Sequence, residues 1–374
     1  VRAPDGATAV ESDYGDATIL PGLVDAHTHM MSPGDGTPGD DLPADGDDIL
    51  LLRAARNAGH ALRSGVTTAR ENGAIGGTAF SLRAGIRRGL VAGPEMVISG
   101  RPLTMTGGHM WYCGSEADGE DQVRAEVRRL IKEGADFIKI MATGGSTRSS
   151  FEHLPSYSVA ELRAANEEAH RFGLLTAAHC ANAAGVDRAL AAGIDMIIHC
   201  VFEDSHRRWS WRGDLAERLS AARAWVNPTL YVVRAGIEAA ERRLRADRAN
   251  GIDRAAIDAA RRSLDGRMEV TARLAEMGVG ITAGSDSPWN HYAPGRFVAE
   301  IQMLAEAGLS HEQALLAATS GAATSIGRAE TAGTLAVGRP ADLVVVEGDP
   351  LADLRALWRV RAVFRAGRQV GLAA

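Results

Sequence analysis

Short apolar runs rich in Val, Ile and Thr alternate along the chain with longer stretches in which Ala and Leu recur at helical spacing among Arg and Glu. The first pattern suits strands and the second suits amphipathic helices. Strands are expected over 19–27, 66–72, 95–100, 136–142, 174–179, 196–200, 224–230 and 279–285. Helices are expected over 47–64, 120–133, 159–172, 183–192, 237–277 in one or two pieces, and 310–318. Strands and helices in this alternation predict an α/β fold built as a closed parallel (β/α)8 barrel. The competing architecture is an open doubly wound sheet. It usually carries a G-x-G-x-x-G turn after its first strand, and this sequence has none.

The two ends read differently. AGTLAVGRPADLVVVEGDP, followed by RVRAVFRAGRQV, holds short strands and Gly/Pro turns with no long helix between them, so a small β-structure is expected there. The expected division is 1–18 as the N-terminal part of a small β-sandwich, 19–330 as the barrel, and 331–374 as the C-terminal part of the sandwich. Residues 31–46, MSPGDGTPGDDLPADG, follow the first barrel strand. Such a loop belongs at the barrel mouth, as a lid or as a solvated surface loop.

Composition narrows the partners. The chain has 374 residues, 45% hydrophobic and 24% charged, which suits a globular fold with a large core and excludes global disorder. The formal net charge is −6 with no block of Lys or Arg, so neither nucleic acid nor an anionic membrane is the expected partner, and a small-molecule substrate is. No apolar run reaches the ~20 residues of a spanning helix. Cys113, Cys180 and Cys200 form no C-x-x-C pair, which argues against a disulfide framework, suits a reducing compartment and makes a cytoplasmic location the expectation. The 41 basic residues include two lysines, Lys132 and Lys139. A chain that uses Arg for generic positive charge retains a Lys for its amine chemistry, or by chance.

Candidate chemistry gathers at strand ends. His27-Thr28-His29 ends the first barrel strand, and residues i and i+2 of a strand project to one side. His179 ends the fifth strand, His199 the sixth, Asp286 follows the eighth, and Lys139 lies in the fourth. A barrel keeps its active site at the C-terminal ends of its strands, so these side chains converge. Imidazole and carboxylate suit Zn, Mn, Co, Fe or Ni. An unmodified Lys has no acceptor and cannot ligate a cation, but its carbamate can; the alternative for Lys139 is an ion pair with Asp136. His109 lies in a glycine-flanked loop, MTGGHMWYC, and Tyr231 follows the seventh strand; both are candidates to contact substrate, and Arg101 and Arg148 are weaker ones. Cys180 and Cys200 each follow a candidate ligand and are expected to face the helices.

GLVDAHTHM, FIKIMATGG, AAHC, IIHC and TAGSD, in this order, resemble the amidohydrolase superfamily of metal-dependent hydrolases. GGHM at 107–110 and NPTLY at 227–231 are most similar to its imidazolonepropionase-like and Xaa-Pro dipeptidase branch. The resemblance implies a distorted barrel, a return of the chain to a β-sandwich, and homo-oligomers. Members carry further strands before the first barrel strand, and only residues 1–18 precede it here, so an incomplete sandwich is expected. It also implies two divalent metals, most commonly Zn: His27, His29 and Asp286 on one, His179 and His199 on the other, and carboxylated Lys139 between them. A bridging hydroxide would then attack the carbonyl, with Asp286 as general base and acid.

The expected activity is therefore hydrolysis of an amide-like C–N bond, with dipeptides or N-acyl amino acids first and cyclic amides, carbamates or ureas second. A deaminase reading is weakened by Lys139. A non-catalytic binding scaffold would typically have lost ligand positions, and a serine hydrolase of the nucleophile-elbow kind lacks its G-x-S-x-G.

Overall fold

The computed structural model describes residues 12–247 and 251–372. The run expected as a single strand over 19–27 is two strands, β1 (Ala17–Pro21) and β2 (Leu23–Thr28). Pro21 has no N–H to extend a ladder. Gly22 makes the turn of allegiance between two sheets: its N–H donates to the Asp342 carbonyl at 2.9 Å, and a Cβ there would run into the Thr67 side chain.

Two parallel sheets form the barrel. The first runs β2–β3 (Val66–Glu71)–β4 (Glu95–Ile98), and the second β5 (Ile138–Met141)–β6 (Thr176–His179)–β7 (Met196–Ile198)–β8 (Trp225–Asn227). Leu103 stitches the gap between β4 and β5, with Leu103 N–H to the Lys139 carbonyl and Met141 N–H to the Leu103 carbonyl, both 2.8 Å. The opposite gap is closed by residues 280–287. Val226 N–H donates to Gly280 O at 2.9 Å, Ala26 N–H to Ala283 O at 3.1 Å, and Asp286 N–H to His27 O at 2.8 Å. The strand expected over 279–285 is thus an irregular stave rather than a regular strand. Its glycines explain this: a Cβ on Gly280 would meet the Trp225 ring at 2.7 Å, and one on Gly284 the Asn227 side chain at 2.7 Å. The result is a distorted α/β barrel.

The helices lie outside: α1 (Gly46–Arg63), α2 (Thr78–Arg87), α3 (Gly119–Glu133), α4 (Val159–Arg171), α5 (Ala183–Ala191) and α6 (Gly213–Ala222). After β8 come two long helices, α7 (Leu230–Asp247) and α8 (Gly251–Glu276), then α9 (Val298–Glu306), α10 (His311–Ala317) and α11 (Ser320–Ser325). The barrel interior is apolar, with Val24, Ala26, Val97, Phe137, Ala177 and Met196 packed together and closed off by Ala322, Ala323 and Ile326. Arg70 crosses this interior fully buried; its Nε–H donates to the Ala26 carbonyl at 2.8 Å and its guanidinium stacks 4.7 Å over Phe137.

The terminal segments form one antiparallel sheet, β1–β9 (Leu343–Glu347)–β10 (Val360–Arg365)–β11 (Arg368–Gln369). The expected sandwich is therefore, among the described residues, a single four-stranded sheet; of the segment 1–18, residues 1–11 lie outside them. No helix of the described residues is long and apolar enough to cross a membrane.

Candidate metal centre

Four imidazoles converge where the sequence places them, at the C-terminal ends of β2, β6 and β7. His27 Nε2 and His29 Nε2 are 3.3 Å apart, and each is 3.4 Å from Asp286 Oδ1. Ligand atoms of these three buried residues all lie within 4.8 Å of one another. His199 Nε2 and His179 Nδ1 are 2.9 Å apart. The His27 and His199 rings, 5.9 Å between centroids, join the two pairs.

The far nitrogens of these rings fix their tautomers. His27 Nδ1–H donates to Asn227 Oδ1 at 3.0 Å, and the Asn227 amide nitrogen is itself spent on the Thr282 and Gly284 carbonyls at 3.2 Å. His29 Nδ1–H donates to Gly73 O at 2.9 Å, and His179 Nε2–H to Gly144 O at 3.0 Å. His199 Nδ1–H donates to Thr229 Oγ1 at 2.5 Å, whose own proton goes to Pro228 O at 2.8 Å. Every imidazole thus turns a bare lone pair toward another. Burial holds all four well below their usual pKa, His29 at about 3, so no ring proton relieves the opposition. Facing lone pairs in a buried site are what a cation satisfies, and outer hydrogen bonds of this kind orient metal-binding histidines.

The backbone is strained at the same residues. His199, Thr229 and Asp286 adopt φ of 63°, 49° and 61°, rare for residues with a Cβ, and such strain collects at functional sites. Asp25, one turn of the strand pleat before His27, accepts from His27 N–H at 3.1 Å, Ser285 N–H at 2.9 Å and Ser285 Oγ at 2.6 Å. It ties the His27 and Asp286 segments together.

Lys139 projects from β5 into the same cavity and is 1% exposed. The alternative partner is excluded, because Asp136 is held by Arg83 at 2.6 Å and Arg328 at 3.1 Å. Burial pushes the Lys139 amine down and the Asp286 carboxyl up.

His109 also lines the cavity, its ring 4.7 Å from His179. Thr147 Oγ1 accepts from Met110 N–H at 2.9 Å and lies 2.8 Å from His109 Nδ1. With the Thr147 hydroxyl donating to Nδ1, His109 Nε2–H is left as a neutral donor in the cavity. Burial keeps this ring neutral, with a pKa of about 3.

Tyr231 departs from expectation. It is the second residue of α7, its hydroxyl reaches Glu238 at 3.4 Å, and its ring packs on Tyr292 at 4.8 Å. Val232, Val233 and Gly236 of the same helix line the cavity in its place. Arg101 and Arg148 are likewise committed elsewhere, to Glu133 at 2.7 Å and Asp41 at 2.9 Å. Arg148 thereby ties the 31–46 loop, whose residues Gly36–Gly39 form part of the cavity wall. Cys113, Cys180 and Cys200 are free and buried. Asn227 and Thr229 are the site residues that sequence reasoning missed. The motif NPTLY contained both, but nothing in it signals a contact with His27 or His199.

The model of the Amidohydrolase family matches residues 18–370. The chain belongs to the amidohydrolase family. This amidohydrolase is 27% identical to ochratoxinase of Aspergillus niger over 391 aligned positions, covering 95% of this chain and 75% of that protein. Its fold matches the crystal structure of a Xaa-Pro dipeptidase with bound methionine in the active site, at 26% identity and TM-score 0.83, covering 97% of this chain and 90% of that one. It also matches a prolidase complexed with N-methylphosphonate-L-proline, at 27% identity and TM-score 0.83, covering 99% and 90%. The amidohydrolase is a hydrolytic enzyme.

Proposed function

We propose that this amidohydrolase cleaves an amide-like C–N bond beside two divalent cations. His27, His29 and Asp286 would hold one, His179 and His199 the other, and Lys139, as its carbamate, would supply a ligand to both. Carrying the reading is the opposition of the imidazole lone pairs, His27 to His29 at 3.3 Å and His199 to His179 at 2.9 Å, with every remaining ring N–H already satisfied. When bound, such cations ionise a water near neutral pH and polarise a scissile carbonyl. Zn is the first choice, and Mn, Co or Fe suit the same donors.

The chain's own residues do the rest. Asp286, beside both His27 and His29, takes the proton of the attacking water and returns it to the leaving nitrogen. His109 directs a neutral N–H at the oxygen on which charge develops. Burial lowers the Lys139 amine toward its neutral form, the form that adds carbon dioxide: the N–C bond forms and a proton leaves the nitrogen. Similarity to a dipeptidase and a prolidase supports dipeptides and N-acyl amino acids as substrates.

Single substitutions test this reading. His179→Ala is expected to lose one metal equivalent and the activity together; a fully metallated, fully active variant overturns the ligand assignment. Lys139→Ala is expected to lose activity that short carboxylic acids partly restore, and Lys139→Arg to remain inactive. Retained activity in Lys139→Arg contradicts the carbamate.

A further inference from the structure

Helix α7 starts at the metal centre and leads away from it. Thr229, the partner of His199 Nδ1, immediately precedes the helix, and Val233, Ile237, Ala240 and Leu244 then follow at spacings of four, three and four. At 3.6 residues per turn these four share one face, and at 1.5 Å per residue the stripe is roughly 16 Å long. The opposite face is polar, with Glu241 paired to Arg261 of α8 at 2.6 Å. An apolar stripe on such a helix ordinarily packs against a neighbour. This one lines the cavity that holds the four imidazoles, and Val233, Ala240 and Leu244 are only half-buried. Ile257 and Ala260 of α8 line the same cavity, so both helices turn apolar side chains toward it.

Size and polarity separate the substrate classes that the hydrolytic reading leaves together. The cavity measures about 1430 Å³, against the roughly 300–1,000 Å³ of an ordinary small-molecule site. One extended residue spans at most about 3.5 Å, so the aminoacyl half of a dipeptide would cover about a quarter of the stripe, and an acetyl group less. A dipeptide would also bring an ammonium to a wall where, among the described residues, α7 offers no carboxylate. The charged α7 residue on that wall is Arg243, and it donates to His291 Nε2 at 3.0 Å. A long hydrocarbon chain matches both the length and the polarity, because burying it against Val233, Ile237 and Leu244 removes apolar surface from water on both partners. From the stripe, its length and its continuity with the cavity of the His cluster, we infer that the α7–α8 wall is an acyl-binding gallery. This amidohydrolase then takes N-acyl amino acids with a long apolar acyl chain in preference to N-acetyl amino acids and dipeptides. Addition of water across the C–N bond releases the fatty acid and the free amino acid. The substrate class rests on the hydrolytic reading above, but the chain binding is independent of turnover.

The test uses the metal-loaded protein with N-acetyl-, N-hexanoyl-, N-decanoyl- and N-dodecanoyl-phenylalanine, each below its critical micelle concentration, and with alanyl-phenylalanine. All share one amino-acid half, so only the acyl half varies. Initial rates give kcat/KM, and calorimetry gives affinity where no turnover occurs. Along the series kcat/KM is expected to rise about two- to fourfold per methylene, the scale of burying one CH₂, with the dipeptide well below the decanoyl compound. Ala240→Phe, which fills the gallery part-way along, is expected to lower the dodecanoyl-to-acetyl ratio at least about tenfold. Leu244→Ala, at the outer end, is expected to lower the dodecanoyl-to-hexanoyl ratio by a smaller factor. Unchanged metal content and circular-dichroism spectrum separate these outcomes from misfolding. A kcat/KM that does not change with chain length, or a length dependence that both variants keep, overturns the gallery while leaving the hydrolytic reading standing. Affinity that rises with chain length and falls in Ala240→Phe, with no compound hydrolysed, would sink the hydrolytic reading while leaving the gallery standing.

Discussion

Asn227 decides which nitrogen of His27 carries the proton. With its amide nitrogen committed to two carbonyls, its oxygen can only accept, and His27 must present Nε2 bare. Asn227→Leu is expected to lower affinity for the metal held by His27, His29 and Asp286 by about 10–100-fold, the usual cost of losing such an orienting contact, with little change in global stability. Chelator competition measures it, and unchanged affinity would show that the tautomer is set by something else. At this scale the ligands were readable because histidine at successive strand ends is a pattern of residue type. Their partners were not. Gly73 and Gly144 contribute carbonyls, which every residue has, and Asn227 lies 200 positions from His27. The direction of Tyr231, toward Glu238 and Tyr292, was not legible either, because it depends on where α7 begins.

That beginning is set at the scale of elements. Helix α7 starts at Leu230, several residues before the expected 237, because Glu300 of α9 accepts from Leu230 N–H at 2.9 Å and Tyr231 N–H at 2.7 Å. A cap supplied from another helix leaves no trace in the local sequence. Burial raises the Glu300 carboxyl from 4.5 to about 8. A folded-state pKa above the unfolded value means that the folded form binds the proton more tightly. Its stabilising contribution is complete below pH 4.5 and is lost as pH rises through about 8. Denaturant unfolding at pH 6 and pH 9 is therefore expected to show wild type losing stability over this interval, with a smaller loss in Glu300→Gln. The variant should also start about 1 kcal/mol lower, since its amide can accept only one of the two N–H bonds. Equal pH slopes would mean that Glu300 is ionised throughout. Gly22 is a second element-scale determinant, placed where the chain passes from the terminal sheet to the barrel. Gly22→Val is expected to destabilise by about 1–3 kcal/mol through overpacking against Thr67, read as a lowered denaturation midpoint. The alternation of strand and helix was legible because buried parallel strands have a composition of their own. The eighth stave was not, because its irregularity follows from Trp225 and Asn227 of the neighbouring strand β8 pressing on Gly280 and Gly284.

At the scale of the whole molecule, the open end of the barrel gathers four buried imidazoles with lone pairs opposed, above an apolar interior. The same opposition makes metal a structural ligand as well as a chemical one. Stripping with a chelator is expected to lower the thermal midpoint, and restoring Zn at about 100 times its Kd to return about 2.7 kcal/mol of stability. No shift in the midpoint would mean that the cluster tolerates its lone pairs without a cation. The barrel and its return to a terminal sheet were visible from hydrophobic pattern and turn residues; the register between residues 17–21 and 343–347 was not, because that pairing is long-range. Elemental analysis of protein purified without chelator and with bicarbonate tests the metal centre most directly. About two transition-metal equivalents per chain are predicted, as a two-metal site requires. No bound metal, even after reconstitution with Zn or Mn, would contradict it.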